Sequence, residues 1–207
     1  MRKQLGQSMT EFLVILPVML LLILGAIQFV LIYQVKITLN YATFEGARAG
    51  SLENASRKSV DNGLTRGLAP LFARFSTTRE FAGGNDYAEL AEKVIDARQF
   101  ARDEITNGHI KIELLNPTVR MFQAFNNAIP NDHLSFREEE NGINLQEANL
   151  LKIRVTYCMN LIVPMVNNLI STVAGGNCQR LRFPVVSTSI IRMQSPAERC
   201  RASVCFD

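Results

Sequence analysis

The sequence predicts an α+β protein in which one long N-terminal helix precedes a small antiparallel sheet domain. Residues 12–33 are an uncharged apolar run, and apolar residues continue at helical spacing to about residue 49. Several segments beyond residue 109 alternate apolar and polar residues, which is typical of strands. The 207 residues are 47% hydrophobic and carry 22 basic against 19 acidic side chains, which excludes a disordered chain. The single apolar run excludes a multi-pass transporter.

The apolar run is long enough to cross a bilayer once. As a helix its 22 residues, from Phe12 to Tyr33, span about 33 Å against a hydrocarbon core of about 30 Å. Arg2 and Lys3 precede the run, and Lys36 is the only basic residue in the dozen that follow it. The positive-inside rule therefore predicts a cytoplasmic N-terminus and an exported remainder. A cleaved secretory signal peptide is the alternative, but the run is too long and lacks a polar segment before a small-residue site.

Three residues of this region are unusual for a plain membrane anchor. Glu11 places a carboxylate at the start of the apolar run, where an ionisable group is a functional candidate. A cut after Gly6 would put the α-amino group of Gln7 one helical turn before it. Pro17 removes one helical hydrogen bond, and Gln28 brings an amide into the run. Both suit a lone helix or a contact with a neighbouring helix, and the sequence leaves the two open.

Residues Gly6 to Phe12 resemble the cleavage site of type IV prepilins, which are cut after a glycine that precedes a glutamate by five positions. The longer stretch from Gly6 to Gly50 resembles the TadE-like pseudopilins of the tight-adherence (Flp/Tad) type IV pilus system. The residues that carry this resemblance are Glu11-Phe12, Leu16-Pro17 with the Leu-rich run after it, and Glu45-Gly46-Ala47-Arg48. The resemblance implies a minor pseudopilin that takes part in pilus assembly.

The resemblance also implies a domain organisation and a set of partners. Residues 1–6 would be a leader, 7–33 a transmembrane segment with a processed N-terminus, and 34–207 a periplasmic α+β domain on a single-pass protein of the bacterial inner membrane. Its partners would be a prepilin peptidase, other pilins or pseudopilins, and the inner-membrane assembly machinery. The alternative is an unprocessed, single-pass anchored periplasmic or surface binding protein.

The helical pattern extends well past the apolar run. Small or apolar residues recur at helical spacing, which predicts one helix from about residue 8 to the mid-fifties. These residues are Val35, Leu39, Ala42, Gly46 and Ala49. We interpret this stripe as core packing against the rest of the domain rather than as a subunit interface.

Two further helical regions follow. Residues 57–76 are predicted to form a broken helix because Gly63, Gly67 and Pro70 lie within them. A loop is expected at Gly83-Gly84-Asn85. Residues 86–105 have an amphipathic pattern, and the large apolar residues of that pattern are the predicted core side chains. These are Leu90, Val94, Ile95 and Phe100.

Strand patterns occupy the second half of the chain. Apolar residues alternate at 110, 112 and 114 and again at 151, 153 and 155, and residues 185–191 are rich in β-branched side chains. No repeat of fixed period is present. The apolar stretch 161–173 contains Pro164 and two asparagines and is too short for a second membrane pass. It suits a buried excursion or an exposed partner-binding surface.

The four cysteines lie in the last 50 residues, on one side of the apolar run, and suggest two disulfides in an exported domain. They are Cys158, Cys178, Cys200 and Cys205. Four buried free thiols are the alternative. Three connectivities are possible, of which we favour the sequential one.

The sequence lacks the motifs of an anchored enzyme. His109 and His133 are isolated from each other and from the cysteines, and no GxSxG, GxxxxGK[ST], SxxK or HExxH motif is present. Glu138-Glu139-Glu140 lies in a polar stretch typical of a solvated loop. Charge is nearly balanced, and the arginines near the C-terminus are interpreted as a solvated face. We therefore expect no catalytic activity, cofactor, metal or nucleic-acid partner.

Overall fold

The fold is known from a computed structural model that describes residues 7–73, 87–132, 139–163, 166, 170, 178 and 182–199. The chain divides into two compact units. The first comprises Met1–Gln34 and Cys158–Pro184, and the second comprises Val35–Tyr157 and Val185–Asp207. The elements are mixed helix and strand, which confirms the predicted α+β class.

Helix α1 is a single helix of 46 residues, Gln7–Leu52, and it confirms the predicted long N-terminal helix. Pro17 is its only proline, and the helix is assigned without interruption on both sides of it. In the second unit α1 buries the predicted stripe, because Val35, Leu39 and Ala42 are almost completely shielded from solvent. The stripe is core, as interpreted from the sequence.

Helix α2, Arg57–Phe72, is continuous, so the prediction of a broken helix is wrong. The glycines are explained by packing instead. A Cβ atom on Gly63 would lie 2.6 Å from the carbonyl oxygen of Glu45, and one on Gly67 would lie 2.5 Å from the Cα of Ala42. Both distances are too short for a side chain. The glycines therefore allow α2 to approach α1 at backbone contact.

Helix α3, Tyr87–Thr106, lies within one residue of the predicted bounds at each end, but it does not have the predicted core. The large apolar residues named from the sequence are all substantially exposed: Leu90, Val94, Ile95 and Phe100. Among the side chains of this helix that the structure describes, the buried ones are Ala97 and Ala101, one turn apart. Small side chains let α3 approach its neighbour closely. The ring of Phe100 is tilted by 48° against that of Phe72, with 5.1 Å between the centroids.

The main sheet has three strands in the order β1 (Ile110–Asn116), β5 (Leu150–Asn160) and β6 (Arg182–Arg192). Strands β1 and β5 are antiparallel, with Ile112 opposite Val155. The alternation seen in the sequence is confirmed, because Leu151, Ile153 and Val155 are fully buried. Phe72 at the end of α2 packs edge-on against Tyr157, with 6.0 Å between ring centroids.

Shorter elements complete the second unit. They are α4 (Val119–Ala124), β2 (Ala128–Ile129), β3 (Glu139–Glu140), β4 (Ile143–Asn144), α5 (Leu145–Ala148) and β7 (Ala197–Glu198). β2 pairs with β7. β3 and β4 form a hairpin whose turn, Asn141-Gly142, has positive φ at both residues. The glutamate stretch expected to be a loop is thus partly a strand, while Glu138 lies outside the described residues.

The chain returns to its first helix near the end of the described part. The carbonyl of Ser51, in the last turn of α1, accepts hydrogen bonds from the backbone N–H groups of Gln194 and Ser195, at 3.0 and 3.1 Å. The N–H of Glu198 donates to the carbonyl of Asn54 at 3.2 Å. The corner between α1 and α2 is thereby fixed by residues more than 140 positions away.

Candidate functional site

The predicted processing site lies at the start of α1. Gly6 is outside the described residues, as are the side chains of residues 7–10, while Gln7 begins the helix. Glu11 and Phe12 lie on exposed positions of the second turn. At 1.5 Å per residue, the backbone nitrogen of Gln7 is about 6 Å along the axis from Glu11. An α-amino group created there would be one turn from the carboxylate.

The side chains after Glu11 form an apolar surface that no part of the described chain covers. From Phe12 to Ile23 the large apolar side chains are 40 to 75% exposed. α1 is the one helix of the described residues long and apolar enough to cross a membrane, with a mean hydropathy of 2.8 in its most apolar window. Tyr33, at the end of the run, is also exposed. Such a surface suits contact with lipid.

Gln28 is the exception within this apolar surface. Its side chain is completely buried, and its Oε1 accepts a hydrogen bond from the backbone N–H of Val163 at 2.9 Å. Its Nε2 has no partner within the described residues. The sequence left open whether this amide belongs to a lone helix or contacts a neighbouring helix. In the structure, the amide has a partner in the segment after β5. The sequence signal for this contact is the presence of an amide within an apolar run.

The segment that contacts Gln28 is closed at its base by a disulfide between Cys158 and Cys178, whose Cα atoms are 5.7 Å apart. This agrees with the first bond of the sequential connectivity, and Cys200 and Cys205 lie outside the described residues. The Arg182 guanidinium donates to the carbonyl of Cys158 at 3.0 Å. Most of residues 164–177 also lie outside the described part. That residues 161–173 are either a buried excursion or an exposed partner-binding surface therefore stays a prediction.

The second half of α1 carries the Glu45-Gly46-Ala47-Arg48 motif. Gly46 faces α2, where an added Cβ would lie 3.1 Å from the carbonyl oxygen of Val60. Ala47 is fully buried, and Arg48 is exposed. The Glu45 carboxylate accepts a hydrogen bond from the Tyr41 hydroxyl at 3.3 Å. The motif therefore combines a packing surface of small residues with charges at its edge.

A half-buried ion pair lies at the start of α2. Arg57 donates to Asp61 at 2.8 Å, one helical turn away. Burial raises the pKa of the Asp61 carboxyl, and the charge and hydrogen bond of Arg57 oppose that shift without cancelling it. The pair is a structural feature of the second unit.

The remaining candidate groups are dispersed. His109 Nδ1 lies 3.2 Å from Glu104 Oε1, and His133 is outside the described residues. Within the part of the chain that the structure describes, no three His, Cys, Asp or Glu side chains are grouped as metal ligands would be.

Comparison with known proteins supports the resemblance seen in the sequence. Residues 6–48 match the family model described as TadE-like protein. The match covers the predicted processing site, the apolar run and the Glu45-Gly46-Ala47-Arg48 motif, and its first residue is Gly6. This stretch of the chain is therefore similar to TadE-like proteins. No match was found among curated proteins or among solved structures.

Proposed function

From the TadE-like character of residues 6–48, we propose that the chain is a pseudopilin that takes part in assembly of a tight-adherence type IV pilus. The match starting at Gly6 is the observation that carries this proposal. A prepilin peptidase removes residues 1–6, and Gln7 becomes the new N-terminus. The role is in assembly rather than catalysis.

The anchoring follows from the exposed apolar surface of α1. Residues 12–33 cross the inner membrane once, with the short N-terminus in the cytoplasm and residues 34–207 in the periplasm. The Cys158–Cys178 disulfide supports an oxidising compartment for that part of the chain. Its partners are the peptidase, other pilins or pseudopilins, and the membrane-embedded assembly machinery.

Glu11 has a specific role in this proposal. Its carboxylate lies at the start of the apolar run, where an ionisable group is a functional candidate. In an assembly, the new α-amino group of a neighbouring subunit's Gln7 neutralises that charge. Glu11 thereby sets the axial position of one subunit against the next.

The processing step is tested by intact mass and N-terminal sequencing of the protein from its native membrane, with and without the peptidase. Loss of residues 1–6 only when the peptidase is present supports the proposal. Gly6→Leu blocks the cut, whereas Gly25→Leu, at a helix position open to its surroundings, leaves it unchanged. An intact leader in both strains contradicts the proposal and favours an unprocessed anchored binding protein.

The assembly step is tested separately with Glu11→Ala, which is expected to be cleaved normally but to assemble poorly. Glu92→Ala is the control, because it removes an exposed carboxylate from α3. Pili are counted by electron microscopy in both variants. Normal piliation in Glu11→Ala would exclude the positioning role of this carboxylate.

A further inference from the structure

The position of Gln28 along α1 fixes a depth in the proposed membrane segment. Gln28 is five residues before Tyr33, the last residue of the uncharged run. At 1.5 Å per residue, its backbone lies about 7.5 Å inside the periplasmic end of that run. Its level is thus within the hydrocarbon of the outer leaflet rather than in water.

The contact with Gln28 brings a second part of the same unit to this depth. The N–H of Val163 lies 2.9 Å from Gln28 Oε1. Leu161, Val163 and Val166 are buried, whereas Ile162 is 56% exposed. Between Arg154 and Arg180 the chain has no charged residue. A segment of this composition meets no charge penalty when it enters lipid.

We infer that residues 161–163 are inserted into the outer leaflet of the membrane that α1 spans, with Ile162 in contact with the acyl chains. This inference rests on the membrane anchoring in the proposed function. Ile162 is 56% exposed, comparable with Ile27 at 48% and Phe29 at 66%, which belong to the part of α1 that the proposed function places in lipid. The partner of this surface is therefore lipid.

The same geometry explains why an amide is present at position 28. An irregular segment brings backbone polar groups that lipid cannot satisfy, so it is tolerated at such a depth only where protein groups bond to them. Gln28 Oε1 satisfies the N–H of Val163. An apolar residue at position 28 would leave that donor without a partner in a medium that supplies no hydrogen-bond acceptor.

The chain contains no tryptophan, so single tryptophans report depth directly. Ile162→Trp is compared with Ile190→Trp on β6, because the two isoleucines are equally exposed at 56%. Phe29→Trp on α1 reports the membrane segment itself. The full chain is reconstituted in vesicles of phosphatidylcholine brominated on its acyl chains, and quenching is measured against unbrominated vesicles. Disulfide formation, measured by free-thiol titration, checks that each variant is folded.

The expected result is that Ile162→Trp loses as large a fraction of its emission as Phe29→Trp, while Ile190→Trp loses little. Adding Gln28→Met to Ile162→Trp should reduce the quenching, which separates docking at Gln28 from general lipid affinity. If Phe29→Trp is quenched and Ile162→Trp behaves like Ile190→Trp, the inference is overturned and the anchoring stands. A second copy of the protein covering Ile162 would give that result. If Phe29→Trp is not quenched, the anchoring and the inference both fail.

Discussion

The two halves of α1 are the same type of secondary structure with opposite surfaces. Before Gln34 the helix presents large exposed side chains such as Leu20 and Phe29. After it, small residues such as Ala42 and Gly46 are buried against α2. The comparison teaches that one helix can carry two kinds of surface. Large apolar side chains suit contact with lipid, whereas close packing against another helix needs small residues.

The largest expected effect comes from replacing one leucine in each half of α1. Leu39→Ala removes a side chain that is completely buried, and should lower the free energy of unfolding by about 2–5 kcal/mol. Leu20→Ala removes one that is 46% exposed, and should change it by less than about 0.5 kcal/mol. Urea unfolding of the full chain in detergent micelles, followed by circular dichroism, measures both. Equal losses would contradict the division of α1 into two surfaces.

A second test replaces a closely packed glycine and an open glycine by alanine. Gly67→Ala places a Cβ 2.5 Å from the Cα of Ala42, and the shift that this forces should cost about 1–3 kcal/mol despite the better helix propensity of alanine. Gly25→Ala meets no atom within 4 Å and should not destabilise the protein. The same unfolding measurement applies. A stabilised Gly67→Ala would show that α1 and α2 are not in backbone contact.

A third test concerns Gln28, the one buried polar residue among the described side chains of the first half of α1. Gln28→Met keeps the size of the side chain but removes the acceptor for the Val163 N–H, a loss of about 0.6 kcal/mol, or roughly threefold in the opening equilibrium. Hydrogen exchange at Val163 should accelerate accordingly. Ile27→Met, at an exposed neighbouring position, is the control. An unchanged exchange rate in Gln28→Met would mean that this hydrogen bond does not hold the segment.

The smallest expected effect is a pH dependence next to the α1–α2 contact. The pKa of Asp61 is raised in the folded protein, so the folded state holds this proton more tightly than the unfolded state. The contribution to stability is therefore full below the ordinary pKa of 3.8 and is lost as pH rises through the folded-state pKa. In Asp61→Asn this carboxyl no longer titrates. The free energy of unfolding of the variant, minus that of the unmodified chain, should therefore increase as pH rises from acid to neutral. Denaturation of both proteins at several pH values measures the difference, and a constant or falling difference would refute it.

The long helix and the strands were predictable because their signals are local. The helix is indicated by an uncharged run of 22 residues, and a strand by the alternation at 151, 153 and 155. Both patterns can be read without knowing which distant residues they contact. The continuity of α2 was missed because glycine lowers helix propensity, and a sequence does not show that Gly67 faces Ala42. The core side of α3 was missed because periodicity gives weight to large residues, whereas Ala97 and Ala101 make the buried contact.

The candidate site was predictable to a similar extent. The short motifs around Gly6 and Glu11 and the apolar run are contiguous in sequence, and they fall within the stretch that matches the TadE-like model. The partner of Gln28 was not predictable, because Val163 is 135 residues away and takes part through its backbone, which has no sequence signature. The Cys158–Cys178 pairing was one of three possibilities until the structure placed the two residues together.

The return of the chain to Ser51 determines when the second unit can finish folding. The groups that bond this carbonyl belong to Gln194 and Ser195, so they are synthesised more than 140 residues after the corner they fix. α1 and α2 are synthesised long before then, but the Ser51 carbonyl has neither of these two donors until residues 194 and 195 have been made. A chain whose synthesis stops before residue 194 would contain both helices but would lack the groups that hold the corner between them.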